Sequence, residues 1–197
     1  MLCLMSKEVV DVDTELVERA KSRDEIAFLT LIQTVQNDLY RTAFAFLQNE
    51  HDALEAVQEV TVRVYQQLPK LRQPAYVKTW MIRIMINYCH DQLKRKRQVL
   101  PLFTAAERGQ TRAAEFPFFE LIQTLPKDRQ RLLYYRYYIQ ASIEEIAAIE
   151  TIPVGTVKSR IHKSLELLRN KLTNQGGDRD VFERQLDFTS SARTRQD

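Results

Sequence analysis

Between residues 154 and 172 the chain sets Thr156, Lys158, Ser159, Arg160, His162 and Lys163 among Val154, Val157, Ile161, Leu165, Leu168 and Leu172. The six apolar residues recur every three or four positions, so on a helix they form one continuous stripe. Lys158, Ser159, His162 and Lys163 then fall on the opposite face, with Arg160 on the flank. Ordinary solvation accounts for such a face. So does the DNA major groove, where lysine and arginine meet phosphates or guanine edges. The flanking residues favour DNA. Pro153 suits a first helical turn, where its missing N–H costs nothing. Upstream, Ser142-Ile143-Glu144-Glu145 fits a capping box that starts a short helix from Ile143 to Ile149. Ala147 and Ala148 permit close approach of a second helix, and about four residues separate the two, as in a helix-turn-helix.

Two further clusters lie in the first half. In VKTWMIRIMINYCHDQLKRKR, residues 77–97, Trp80, Ile84 and Ile86 can pack inward while Lys78, Arg83 and the run Lys94, Arg95, Lys96 and Arg97 project charge against Asp91 alone. A basic helix with an aromatic neighbour suits phosphate contact with base stacking. Equally, Trp80 can be plain core and the run a solvated helix end; burial is the better reading for Trp80, nucleic acid for the run. In DALEAVQEVTVRVYQQL, residues 52–68, Ala53, Val57, Val60 and Val64 mark one face, and Asp52, Glu55, Glu59 and Arg63 another. By spacing alone that ridge is simply exposed to solvent.

The elements that carry these clusters are helices. Glycine occurs 4 times in 197 residues and β-branched alternation is scarce, whereas helical periodicity covers most of the chain. Leu16, Ala20, Ile26, Leu29, Ile32, Val35, Leu39 and Phe46 fit two helices broken near Lys21-Ser22-Arg23-Asp24. A third helix runs from Asp52 to Leu68 and stops at Pro69, and a fourth from Pro74 to Arg97. Residues 98–117 lose the period and hold Pro101, Gly109 and Pro117, which reads as a linker. The pattern is all-α: one domain over residues 1–97, the linker 98–117, a second domain over 118–172, and a mobile tail over 173–197. Phe182, Leu186 and Phe188 would let the tail dock.

Composition narrows the class. A hydrophobic share of 44% against 28% charged is that of a soluble globular protein, and a formal charge of +3 is too small to argue for nucleic acid without the clustering. Cys3 and Cys89 lie far apart with no C-x-x-C, and His51, His90 and His162 are scattered, so no disulfide framework, metal site or nucleophile–base pair is suggested. The opening MLCLM is too short for a signal peptide's apolar core, and Met5 is an alternative start. No apolar run approaches the roughly 20 residues needed to span a bilayer. A cytoplasmic protein is expected.

Taken in order, these segments resemble a bacterial RNA polymerase sigma factor of the extracytoplasmic-function group, over residues 15–172. DALEAVQEVTVRVY is similar to the family's polymerase-docking helix, and TWMIRIMINYCHDQLKRKR to the segment that recognises and melts the −10 element. LPKDRQRLLYYRYY, SIEEIAAI and IPVGTVKSRIHKSLELLR are similar to the domain that reads the −35 element. The resemblance turns the acidic ridge into a docking surface: it implies that Asp52, Glu55, Gln58, Glu59 and Arg63 meet core RNA polymerase. It puts Trp80, Arg83 and Asn87 at the −10 element, Asn87 beside a base flipped from the stack, and Lys94, Arg95, Lys96 and Arg97 on backbone phosphates. It puts Thr156, Lys158, Ser159, Arg160, His162 and Lys163 in the −35 groove. Leu54 and Ala56, Met85 and Ile86, and His162 depart from the family's usual residues.

The implied partners are core RNA polymerase, promoter DNA and an anti-sigma protein, in this family often membrane-anchored. No cofactor and no enzymatic activity of its own are implied. A dimeric helix-turn-helix repressor or activator is the rival reading, but it leaves the acidic ridge and the Trp80 segment without a task.

Overall fold

The computed structural model describes residues 13–99 and 121–174. Helix α1 spans Thr14–Lys21, α2 Glu25–Leu47, α3 Glu50–Gln67 and α4 Val77–Val99. Single 3-10 turns at Leu68–Lys70 and Pro74–Tyr76 join α3 to α4. The second unit holds α5, Lys127–Leu133, which loosens into one π-helical turn at Tyr134–Ile139. Helices α6, Ile143–Glu150, and α7, Val154–Asn174, follow.

Short polar caps set the boundaries. Asp13 Oδ1 accepts from Glu15 N at 2.9 Å, Asn49 Oδ1 from Asp52 N at 3.0 Å, and Ser142 Oγ from Glu145 N at 3.1 Å. Each satisfies an N–H that the first helical turn leaves without a partner. Asp24 does two things at once. Its Oδ1 caps α2 through Ala27 N at 3.0 Å, while its Oδ2 takes the Arg19 guanidinium at 2.7 Å and so ties α1 down. The Ala27 amide first, then Arg19, holds the Asp24 carboxyl below the usual carboxylate range. Gln48, left-handed at φ 56°, ends α2, so that α3 starts two residues later.

Three helical readings need correction. Ile26 and Leu29 are 74% and 59% exposed; Ala27, Phe28 and Leu31 take the core positions instead, one residue round the same helix. Val154 is exposed because it opens α7 ahead of the packed stretch, whereas Val157, Ile161 and Leu168 are buried. Of the alanine pair, Ala147 is buried and Ala148 faces solvent. Helix α4 also continues unbroken to Val99, two residues into the segment read as linker. The rest of the linker, the tail, Cys3 and the side chains of Arg97 and Leu172 lie outside the described residues.

How the two units meet is a matter the sequence reading leaves open. One apolar cluster runs from Val17 in α1 to Leu168 in α7, so the two units share a core. Phe46 of α2 sits edge-on to Tyr134 at 5.4 Å between ring centroids and to the His90 ring at 5.3 Å. Tyr134 stacks on Tyr138 at 4.6 Å and donates from its hydroxyl to Thr42 Oγ1 at 3.0 Å. Burial raises the Tyr134 and Tyr135 phenols well above their ordinary pKa, so both remain neutral donors.

The turn of the helix-turn-helix carries strain. Thr151 ends α6 at φ 58°, and Ile152 N donates back to Ala147 O at 3.1 Å, the six-to-one bond of a Schellman motif. A β-branched residue in the left-handed region costs about 1–2 kcal/mol, and glycine there returns part of that as extra unfolded-state entropy. Thr151→Gly should therefore stabilise the chain by about 0.5–1 kcal/mol, read as a higher midpoint in urea; an unchanged or lower midpoint would count against a strained turn.

Candidate nucleic-acid interface

Helix α7 turns Val157, Ile161, Ser164 and Leu168 inward. Lys158, Ser159, His162 and Lys163 are exposed, with Thr156 and Arg160 half-buried beside them. Ser159 Oγ donates to Thr156 O at 3.1 Å, and Arg160 Nη1 lies 3.6 Å from Asp128 Oδ2 of α5. Lys158 and Lys163 therefore hold the charge this face offers to solvent, while Arg160 is partly neutralised by its acid.

Helix α3 presents Leu54, Glu55, Gln58, Glu59 and Val62 to solvent. The ridge is therefore not purely acidic, since Leu54 and Val62 are 52% and 55% exposed. Arg63 lies 3.7 Å from Glu59 Oε2 and covers the Tyr88 ring at 4.9 Å, so it is half-held by α4. Asp52 Oδ2 takes the Lys96 ammonium at 2.5 Å, joining a residue of the acidic ridge to one of the basic run. His51, Asp52 and Glu55 put one ligand atom each within 4.8 Å of one another, but that ammonium already occupies Asp52.

Helix α4 departs most from the sequence picture. Trp80 packs half-buried against the core, while Lys94, Arg95 and Lys96 are exposed. Lys78 pairs with Asp38 of α2 at 2.5 Å rather than standing free. Arg83 and Asn87 face the second unit. Arg83 donates from Nη1 to Ile149 O and lies 3.8 Å from Glu150 Oε1; Asn87 Oδ1 accepts from Arg131 Nη1 at 3.1 Å. Glu150, with its side chain 8% exposed, also accepts from Arg131 Nη2 at 2.8 Å and from the Tyr135 hydroxyl at 3.1 Å. Arg131, Tyr135 and Glu150 are functional candidates that sequence spacing did not single out.

Cys89 is buried, and its thiol is pushed up to about 12, so it is inert as a nucleophile. Beside it His90 places Nε2 3.2 Å from Gln130 Oε1, across the boundary between the units. Burial lowers the His90 pKa, partly offset by the Gln130 bond, and the Lys127 and Arg131 cations lower it further; Asp91 opposes them.

Among the described residues no helix is long and apolar enough to cross a membrane. The architecture is that of a two-domain, all-helical DNA-binding protein. The Sigma-70 region 2 family model matches residues 31–99, and the Sigma-70, region 4 model matches residues 117–168. The chain belongs to the extracytoplasmic-function group of the sigma-70 family, the RNA polymerase subunits that direct promoter-specific initiation. It is 25% identical over 162 residues to RNA polymerase sigma factor SigV of Bacillus subtilis, covering 80% of this chain and 98% of that protein. To the ECF RNA polymerase sigma-E factor of Escherichia coli K12 it is 29% identical over 188 residues, 85% and 97% of the two chains. In fold it is similar to CnrH, solved with the cytosolic domain of CnrY, at a TM-score of 0.61 and 21% identity over 82% of this chain and 97% of that one. The sigma factor RpoE from Bartonella quintana, solved with the anti-sigma factor NepR, gives 0.55 and 18% over 74% and 96%.

The His90 environment sets a pH dependence. A histidine whose pKa is lower in the folded chain leaves stability intact above its unfolded value near 6.5. Stability then falls with acidification from that value down through the folded one, because the unfolded state binds the proton more readily. Between pH 7.5 and 5.5 the wild type should lose more thermal stability than His90→Gln; parallel losses would show that His90 does not titrate against the second domain.

Proposed function

We propose that α3, α4 and α7 divide the work of initiation. The exposed face of α3, with Glu55, Gln58 and Glu59 flanked by Leu54 and Val62, docks on core polymerase, and Asp52 and Arg63 border it. Helix α4 supplies Trp80, Arg83 and Asn87 for the −10 element, and Lys94 to Arg97 for its phosphates. Helix α7 lays Lys158, Ser159, His162 and Lys163 in the −35 major groove, with Thr156 and Arg160 at the edges. The observation that carries this reading is α7: its cations stand in solvent while the reverse face is buried against its own domain.

Neither domain need bind DNA tightly alone, because binding of one raises the effective concentration of the other. The protein acts as a specificity subunit in the cytoplasm and catalyses nothing by itself. An anti-sigma partner belongs to the proposal as well, since the RpoE structure named above is a complex with the anti-sigma factor NepR.

Transcription in vitro from a pool of genomic promoter fragments, with core polymerase, tests the whole reading. Specific transcripts should require this protein; tight binding to a palindromic duplex with no transcripts would favour an autonomous repressor. On a promoter so identified, replacing Lys158 and Lys163 by alanine should flatten the salt dependence of binding, by about 0.9 in log–log slope for each phosphate left without its cation. An unchanged slope would take α7 off the DNA. Asn87→Ala should reduce permanganate reactivity of the melted strand while leaving closed-complex affinity intact. Equal loss in both steps would remove Asn87 from base capture.

A further inference from the structure

Thr156, Arg160 and Lys163 lie four and three positions apart and so share one edge of α7, between its buried and its exposed face. A DNA backbone strand running along that edge would meet a hydroxyl, a guanidinium and an ammonium in turn. Of the two cations, Arg160 is tied to another helix. Its Nη1 lies 3.6 Å from Asp128 Oδ2, in the first turn of α5. Its main chain is fixed as well. Ser164 Oγ donates to the Arg160 carbonyl at 2.6 Å, and Val157 and Ile161 on either side are buried.

We propose that Asp128 is a positioning residue for −35 recognition. It holds the Arg160 guanidinium in one orientation, so that Arg160 clamps a single backbone phosphate and sets the register of α7 in the groove. The proposal rests on the −35 reading of α7 given above.

Magnitudes favour this role over a stabilising one. The Arg160 and Asp128 side chains are 41% and 47% exposed, and an ion pair so open to solvent adds little to folding. Orientation is a different matter. A guanidinium presents its N–H donors in a planar fork. One donor directed at a carboxylate leaves the others for a phosphate, and the plane of the fork is set before DNA arrives. A lysine in the same place would be a mobile point charge. Lys158 and Lys163 stand in solvent and can follow phosphates on any sequence. The acid also works against loose binding. Its negative charge sits beside the edge that meets DNA, so it disfavours every phosphate that Arg160 does not cover. Phosphate contacts carry no sequence information themselves, but they fix how the reading side chains stand over the base edges. Without Asp128, discrimination falls while the number of neutralised phosphates stays the same.

The test uses core polymerase loaded with the full chain and two fragments of a promoter identified as above, one with its −35 element intact and one with it scrambled. The ratio of the two affinities is read across a salt series. Asp128→Asn should lower the ratio about tenfold, the scale of one charged hydrogen bond. The salt slope on the intact fragment should not change, because Arg160 still neutralises its phosphate. Asp128→Glu keeps the carboxylate and should retain most of the ratio. Arg160→Ala should lower the ratio and also flatten the slope by about 0.9. The double variant should match Arg160→Ala alone, since Asp128 acts through Arg160.

An unchanged ratio in Asp128→Asn overturns the positioning role. So does a loss that adds in full to that of Arg160→Ala, which would mark a defect in the start of α5. Lys163→Ala separates this role from the reading beneath it. If Lys163→Ala flattens the slope while Asp128→Asn leaves the ratio intact, α7 stays on the DNA and only the role of Asp128 falls. If the slope keeps its full value in both Lys163→Ala and Arg160→Ala, α7 is not on the DNA, and the assignment of Asp128 falls with it.

Discussion

A carboxylate can be taken out of water only if other groups replace the water. Glu150 is almost completely enclosed, and Arg131, Tyr135 and Arg83 are the groups that enclose it. Because one of those comes from α4, the electrostatic needs of a single acid in the helix-turn-helix reach across the domain boundary. Breaking one side of such a buried pair leaves an uncompensated charge, which is costlier than never having buried it. Much of the remaining arrangement follows. With Arg83 and Arg131 fixed, Asn87 and His90 meet their partners, and Phe46 and Tyr134 close the apolar floor below them.

The aromatic floor and the polar hub differ in what they specify. Ring contacts between Phe46, His90, Tyr134 and Tyr138 supply area and tolerate small slides. The Tyr134–Thr42 hydrogen bond and the Arg131 fork do not tolerate them, since an offset of an ångström leaves buried donors unsatisfied. The loosened π-helical turn at Tyr134–Ile139 lies where both demands meet. Tyr134 and Tyr135 point into buried surroundings on two sides of one short segment, one towards Thr42 and the other towards Glu150.

What could be read from the sequence was local. The Ser142 cap, the break near Ser22-Arg23, the stop at Pro69 and the two-faced character of α7 all depend on residues within a turn or two of one another. Periodicity misjudged Ile26 and Leu29 because two overlapping stripes pass through the start of α2, and only packing against Tyr65 decides for Phe28. The contact between the two units was out of reach for a different reason. Arg83 and Glu150 are 67 positions apart, Thr42 and Tyr134 92, and nothing in either neighbourhood announces the other. One signal did exist. Leu132-Leu133-Tyr134-Tyr135 with Tyr137-Tyr138 is apolar or aromatic all round, and a helix of that kind is covered on every side. A small domain alone has too little material to do that.

The order of the chain gives the contact between the two units a direction in time. The helices of the first domain pack with one another and are complete at Val99, whereas the groups that cover α4 lie between Lys127 and Glu150. A ribosome adds about 5–20 residues per second, so α4 leaves the ribosome seconds before the residues that cover it do. During that interval the nascent first domain presents Arg83 and Asn87 uncovered, with α1 to α4 already made. The second unit thus meets a first unit whose helices are already made.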